Sequence, residues 1–588
     1  MALTALTGGQ AKQFQASIAL LQQGRYAQAL ALSQQLVVSA ANAADAQQLL
    51  GMCQTELRNA PEADQAFQRA LSLAGDNPLT LLNYAASLRK FGRIDALVAV
   101  LQRAVHAAPK LARAWTELGI AALAQGRADL AREGLMRAAE LQPSSAYVWH
   151  ALGNAHRMNG RSEQALIAYE RAKTLGQTGP ELLDATVGAL MDCGKFAEAL
   201  TLAREVVRAF PDFLPGHSTL AHIMWEHGSY LMPEREPWFD IRESLRMRPL
   251  DHALRLNYIS LLLSAKLGDQ ALAQIKTLRA HVDSPALATL EADALELLDQ
   301  AEDAGKLYDT IYRSNTEHEA AFLNTYVRHL LKAGRWQDAA RCAQQATQSE
   351  PFDQQAWAYL STAWRLLGDA REFWLCDYEH LVAQINVDIP NEFRSEFEFL
   401  QSLQAALEPL HRAQRAPLQQ SVRGGSQTTG RLFGCEQPAI AAAQSAFKTA
   451  VQRWLTTLTP GPKHPFLART ARDVRFSGSW SVRLNSQGKH ANHIHQQGWL
   501  SSAFYVALPS AMTHVQNQPN SATNNFAGCL QLGQPPIELK LELPARQLIR
   551  PRAGRLVLFP SYFWHGTLPF TDTEPRLSIA FDMQPNAG

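Results

Sequence analysis

A glycine returns every 34 residues through the first part of this chain: Gly92, Gly126, Gly160, Gly194 and Gly228 stand in strict register. Gly24 lies two periods upstream with Arg58 between, and Gly334 and Gly368 repeat the spacing further on. Other residues keep the same period: Trp115 and Trp149; Gly51, Gly119 and Gly153; Ala131, Ala165 and Ala199; Pro109, Pro143 and Pro211. A fixed period of this length marks a unit that cannot bury its apolar face alone and stacks on copies of itself. The sequence around these positions is rich in Ala, Leu and Gln, which suits helices. The expected unit is therefore a pair of amphipathic helices. Gly and Ala allow their close crossing, and Pro stops the second helix before the next unit begins.

About ten or eleven such units are expected over residues 10–380. The segment Tyr230 to Leu245, which contains Pro233 and Pro237, reads as an insertion. The string Trp115-Thr116-Glu117-Leu118-Gly119, followed by Gly126-Arg127-Ala128, resembles the tetratricopeptide repeat, most strongly over residues 75–228 and more weakly near 265–330. The resemblance implies an all-α solenoid over residues 1–382, whose concave groove takes a peptide or protein surface. The alternative is an array that only dimerises the chain or spaces its domains.

Proline usage then changes. Of 29 prolines, 12 fall in residues 1–380 and 10 in the last 80 residues. Proline fits neither helix interiors nor central strands, so the shift marks a new architecture. Short runs such as Trp480–Leu484, Ala503–Val506 and Arg555–Phe559, bounded by Gly, Pro and Asn, read as strands. Residues 383–435 leave the repeat register: a helix is expected from Phe393 to Ala413, then a turn-rich stretch from Ser421 to Gly430. That stretch lacks the Gly-Lys-Ser/Thr ending of a phosphate loop. It reads as a flexible linker, or alternatively as a substrate-facing loop in which Arg423 grips a carboxylate or carbonyl. Residues 438–458 form a further helix leading into the strands, in a domain expected over 436–588.

Composition excludes several function classes. Lys plus Arg total 55 against 54 for Asp plus Glu, a net charge of +1, which leaves no footprint for nucleic acid or an anionic membrane. No run approaches the roughly 18–20 apolar residues of a membrane helix, and the N-terminus has no secretory pattern. The six cysteines (Cys53, Cys193, Cys342, Cys376, Cys435, Cys529) form no CxxC pair, so neither a zinc ribbon nor a disulfide framework is expected, and a cytoplasmic location is. Nothing here sets the oligomeric state.

The chemistry is expected between His490 and Arg576. His493 and His495, at i and i+2 on an extended segment, point to one side and can reach one ion. His565 follows 70 residues after His495, just past the apolar run ending in Phe559-Pro560. Arg576 comes eleven residues later and shares a strand face with Ser578.

This pattern resembles the iron and 2-oxoglutarate-dependent oxygenases of the prolyl-hydroxylase type, over roughly residues 475–583. Val482-Arg483-Leu484 through His493 is similar to the strand and loop that lead to the first ligand, and Gly554 to Ser561 to the strand before the distal histidine. The string Gly498-Trp499-Leu500-Ser501-Ser502 is similar to bacterial oxygenases that carry tetratricopeptide repeats upstream. The resemblance implies a double-stranded β-helix (jelly-roll) domain and a 2-oxoglutarate-dependent dioxygenase acting as a hydroxylase. It also implies Fe(II) held by His493, His495 and His565, with O₂ and 2-oxoglutarate as cosubstrates. Arg576, Ser578 and Tyr505 would bind the 2-oxoglutarate.

One departure stands out. The family's second ligand is a carboxylate, here His495, and no acidic residue lies close by in sequence; the next downstream is Glu538. Three imidazoles leave a ferrous site one charge more positive than two imidazoles and a carboxylate. Alternatively His495 binds nothing and water replaces it, or His490 takes part, although its odd spacing from His493 puts it on the opposite face. Without a neighbouring acid as general base, a metal-dependent hydrolase is disfavoured. The leading expectation is a protein or peptide hydroxylase whose substrate is delivered by the repeats. Its alternatives are a repeat scaffold with a silent β-barrel and an oxygenase acting on a small molecule.

Overall fold

Glycine recurs because each repeat turns through a left-handed residue. Gly24, Gly92, Gly126, Gly160, Gly194, Gly334 and Gly368 all have φ between 67° and 75°, a conformation that costs an L-residue about 1 kcal/mol or more. The computed structural model, which describes residues 6–314, 317–411, 421–428, 430–434, 437–471, 473–510, 512 and 526–586, places each of them between the two helices of a pair. Twenty-two helices, α1 (Gly8–Gln22) to α22 (Arg371–Leu375), make eleven pairs. Three turns break the glycine rule with Arg58, Lys266 and Asp299, at φ 64°, 60° and 58°.

Gly228 keeps the sequence register but not its role. It lies inside α13 (Leu214–Leu231), which runs 18 residues, and the following α14 (Phe239–Met247) has only nine. The register slip at Tyr230–Leu245 is thus a long helix followed by a short one. The other periodic residues have clear tasks. A Cβ on Gly51 would stand 2.9 Å from the Phe67 ring, so glycine is what lets that helix pair cross closely. The tryptophan six residues after a proline donates from Nε1 to that proline's carbonyl: Trp115 to Pro109, Trp149 to Pro143 and Trp357 to Pro351, all at 2.9 Å. His217 Nε2 meets the Pro211 carbonyl and Arg255 Nη2 donates to that of Pro249, at the same offset and distance.

The chain packs as two units, one of the first 178 residues and one from Gly179 to Asn586. The later repeats therefore share a unit with the β domain. That domain has a six-stranded antiparallel sheet in the order β1 (Ala383–Asn386), β7 (Arg555–Pro560), β4 (Leu500–Ala507), β9 (Arg576–Pro585), β3 (Val474–His490), β2 (Val422–Gln427). A three-stranded sheet adds β6 (Gln547–Ile549), β5 (Leu530–Leu532) and β8 (His565–Thr567).

Residues 383–435, read as helix and linker, supply both edges of the large sheet, β1 and β2, around a helix α23 (Glu396–Leu407). The glycines that suggest flexibility make β2 possible. Gly424 sits at φ 67° in a bulge between Arg423 and Gly425, and a Cβ on Gly425 would run into the Arg483 carbonyl of β3. Residues 412–420, Thr429 and Cys435 of that stretch lie outside the described residues. The helix expected over 438–458 is α24 (Pro438–Leu455).

One apolar core joins the last repeats to the sheets, combining Tyr359 and Trp364 with Phe399, Phe447, Phe504 and Phe581. Polar ties cross the same seam. Trp564 Nε1 donates to Thr362 Oγ1 at 2.8 Å, the Tyr562 hydroxyl to the Leu375 carbonyl at 2.7 Å, and Arg365 Nη1 to the Gly533 carbonyl at 2.7 Å. Arg546 donates to the Glu372 carboxylate at 2.9 and 2.5 Å. Two of the turns that break the glycine rule use their side chains here. Lys266 pairs with Glu538, and Asp299 with Lys540, each at 2.6 Å.

Candidate metal centre

Strand β9 presents every second residue to a cavity of about 740 Å³: Arg576, Ser578, Ala580 and Asp582. His493, His495 and His565 line the same cavity. His493 and His565 are 72 positions apart, yet they are brought together by an antiparallel backbone bridge. The His493 amide donates to the His565 carbonyl at 2.9 Å, and the His565 amide to the His493 carbonyl at 3.0 Å. His495 reaches the same spot by the i, i+2 alternation of the extended segment after β3.

Each imidazole has its Nδ1 side occupied. His493 Nδ1 lies 2.8 Å from the Ala491 carbonyl, His565 Nδ1 3.0 Å from that of Phe563, and His495 Nδ1 2.6 Å from Asp582 Oδ1. Hydrogen bonds of this kind fix the tautomer with the lone pair on Nε2, the form that ligates a metal. The Nε2 atoms of His493 and His495 are 3.0 Å apart, and the ligand atoms of all three histidines lie within 4.8 Å of one another. The three are placed to hold one metal ion. Burial, and then the repulsion of a charge at its neighbours, holds His493 and His565 well below the usual imidazole range, so both are neutral at pH 7.

Asp582 is the residue that sequence reasoning missed. No acid lies near the histidines along the chain, but the pairing of β4 with β9 sets Asp582 opposite Ser501, beside His495. Its Oδ1 accepts from the Ser501 hydroxyl at 2.7 Å as well as from His495. The available signal was the alternation on β9, two further steps along the face that carries Arg576 and Ser578. This corrects the expectation of a site without a nearby carboxylate. Asp582 meets His495 at Nδ1, whereas the nitrogen that approaches His493 is Nε2.

His490 also faces the cavity rather than away from it, because β3 ends at that residue and the alternation ends with it. Burial pushes its imidazole down to about 3, and its Nδ1 lies 2.9 Å from Ser421 Oγ. It is not one of the three grouped histidines. Ser421 Oγ is also 3.2 Å from His493 Nε2, so the start of the supposed linker contributes to the site, whereas Arg423 is exposed outside it.

Arg576, which also lines the cavity, is 2 % exposed. Its Nη1 donates to the Gly528 carbonyl at 2.8 Å, and its guanidinium carbon stands 5.0 Å over the Tyr505 ring. Arg576 Nε and the Tyr505 hydroxyl are buried without a partner among the described residues. Buried polar groups are rarely left so, and an orphaned guanidinium N–H beside an orphaned hydroxyl suits a carboxylate ligand. Ser578 lines the cavity with Arg576, whereas Tyr505 is not among the lining residues and lies under the Arg576 guanidinium. The residues present therefore fit a metal ion at the three histidines and a small anion at Arg576.

The β domain thus gathers three histidines that could hold a metal ion in a cavity that a buried arginine also lines. The comparisons with known proteins name the domain. Residues 478–582 match the family described as "Putative 2OG-Fe(II) oxygenase", and tetratricopeptide-repeat families match residues 14–78, 85–146, 135–167 and 327–372. The chain thus joins tetratricopeptide repeats to a C-terminal 2OG-Fe(II) oxygenase domain. Among solved structures it is similar to PilF of Pseudomonas aeruginosa (19% identity, 36% of this chain and 96% of that one, TM-score 0.32). It is also similar to the type IV pilus biogenesis factor PilW (19%, 37% and 100%, TM-score 0.32) and to MamA of Desulfovibrio magneticus RS-1 (22%, 29% and 97%, TM-score 0.27). No curated protein matches the chain. Among the described residues no helix is long and apolar enough to cross a membrane.

Proposed function

We propose that this protein is an Fe(II)/2-oxoglutarate-dependent hydroxylase acting on a protein or peptide substrate in the cytoplasm. The observation that carries the reading is a group of three histidines whose ligand atoms lie within 4.8 Å of one another, each ring held at Nδ1, in one cavity with a buried and incompletely paired Arg576. His493, His495 and His565 would hold the iron. Asp582 would orient His495 and return through one imidazole the negative charge that the family's usual carboxylate supplies directly. Arg576, supported by Tyr505 and joined by Ser578, would take the distal carboxylate of 2-oxoglutarate. Bound Fe(II) and 2-oxoglutarate supply the oxidising power with O₂. The chain's own residues orient both and exclude water, since Arg576, Tyr505 and Phe559 are each 2 % exposed or less. The tetratricopeptide repeats, which pack on this domain through one continuous core, support a protein substrate.

The test is conversion of 2-oxoglutarate to succinate by the purified full chain with Fe(II). The wild type is expected to turn over and His565→Ala to lose at least a thousandfold, of the order that removal of an essential group costs, while its circular dichroism stays unchanged. A His565→Ala protein that still forms succinate at the wild-type rate sinks the proposal.

A further inference from the structure

A second cleft of about 790 Å³ opens between the last repeats and the β domain. Its repeat wall contains Glu319, Asn324, Glu350 and Asp353, and its β-domain wall is Gln496 and Gln497. The same two glutamines line the cavity of the histidine site, and Gln496 directly follows His495. The two spaces therefore meet within one residue of the proposed iron ligand.

The cleft is built for a cation. Three carboxylates line it and no Lys or Arg does. Glu319 and Glu350 are exposed, and neither has a basic partner among the described residues. Asp353 is committed: its Oδ1 accepts the amides of Gln355 and Ala356 at 2.8 and 3.1 Å, and its Oδ2 accepts from Asn324 Nδ2 at 2.6 Å. The guanidinium of Arg469 lies 4.3 Å over the ring of Phe352, a residue of the cleft wall, and donates to Gln584 rather than to one of the acids. His318 stacks on Tyr312.

An independent observation comes from Asn324. It is only 5 % exposed and lines the cleft, its amide nitrogen is fixed by Asp353, and its buried Oδ1 has no partner among the described residues. A buried acceptor left unpaired costs about 1–3 kcal/mol, so a donor from a ligand is what this position lacks. Two unpaired carboxylates and one unpaired carbonyl match the several N–H groups of a guanidinium or ammonium.

We propose that this cleft is a substrate subsite for a basic side chain, Arg or Lys, borne by an extended peptide whose neighbouring segment enters the histidine cavity past Gln496 and Gln497. The assignment rests on the reading of the site as a protein hydroxylase and adds the chemistry by which the peptide is chosen. The basic side chain sits a few residues from the one oxidised.

The test uses the full-length protein and three fluorescein-labelled Gly-Ser dodecapeptides that carry two arginines, two glutamines or two glutamates. Fluorescence anisotropy is expected to show binding of the arginine peptide only, weakened about tenfold in Glu319→Gln/Glu350→Gln, which is two exposed ion pairs' worth. Asn324→Leu is expected to weaken it further, provided its circular dichroism is that of the wild type. Equal binding of the arginine and glutamine peptides, or unchanged binding by the Glu319→Gln/Glu350→Gln variant, overturns the subsite. Succinate formation without peptide, measured in the same variant, separates the two readings. If it persists while arginine-peptide binding falls, the subsite stands. If the wild type binds the peptide as expected but never forms succinate, the hydroxylase reading fails and the acidic, cation-binding cleft survives.

Discussion

A buried histidine–carboxylate pair occurs both in the repeats and in the β domain, and the surroundings give the two opposite uses. In the repeats, His329 Nδ1 lies 2.7 Å from Glu296 Oε1, and Lys332 Nζ donates to Glu296 Oε2 at 2.8 Å, with Arg328 nearby. Burial raises the Glu296 carboxyl, but His329, Lys332 and Arg328 outweigh it and bring it down to about 2. The far nitrogen of His329 packs over Gly305, where any Cβ would stand 2.8 Å from it. That pair is closed on all sides and holds adjacent helices together. In the β domain, Asp582 takes the Nδ1 side of His495 and leaves Nε2 facing two further imidazoles across a cavity. The same two groups make a structural clamp when both ends of the imidazole are filled, and a ligand site when one is left open.

Four substitutions break or sharpen this contrast. Arg576→Gln removes the charge opposite the histidines and is expected to raise the half-saturating 2-oxoglutarate concentration a hundredfold or more, about 3 kcal/mol for a buried charge-assisted pair. Succinate formation across a 2-oxoglutarate series measures it. Glu296→Gln takes the carboxylate from the half-buried Lys332 and from His329 and is expected to cost about 3 kcal/mol in urea unfolding of the full chain, without changing turnover at a temperature where the variant is folded. Its pH dependence has a definite sign. The Glu296 carboxyl sits lower in the folded than in the unfolded chain, so its contribution is complete above about pH 4.5 and is lost as pH falls toward about 2. The wild type should lose stability over that window more steeply than Glu296→Gln does.

Asp582→Asn probes the other pair. Loss of a carboxylate behind a ligating imidazole is expected to weaken Fe(II) or Co(II) binding about 10–100-fold, read by anaerobic titration calorimetry, with little change in thermal stability of the metal-free protein. The smallest effect is expected from Lys266→Gly. It relieves a left-handed lysine, worth about 1 kcal/mol, but loses an exposed ion pair to Glu538 worth less than that. A net change below about 1 kcal/mol in urea unfolding is the outcome; a loss of 2 or more would mean that the turn contact anchors the β domain.

The two regions also differ in how much of them can be read from the chain. The repeats are legible because one backbone requirement, a left-handed turn residue, selects glycine in most units. Where Lys266 and Asp299 take that position, the period fades, which is why residues 265–330 look irregular although their helix pairs are intact. In both cases a side chain reaching the β domain replaces the glycine. Gly228 shows the converse, a register kept where the turn has gone. In the β domain, alternation on a strand finds His493 with His495 and Arg576 with Ser578, all close in sequence. Asp582 stands 87 positions from His495, and only the β4–β9 pairing joins them. The strand at Val422–Gln427 hides for another reason, since its glycines serve a bulge and a close approach but read as flexibility.

An anaerobic spectroscopic titration decides whether the open pair belongs to an Fe(II)/2-oxoglutarate site built on three histidines. Fe(II) alone should leave the visible spectrum nearly flat, and adding 2-oxoglutarate should raise a weak charge-transfer band at one equivalent per chain. The band should vanish in His493→Ala, His495→Ala and His565→Ala. A wild-type spectrum that does not respond to 2-oxoglutarate, or a band that persists in His495→Ala, would contradict the account.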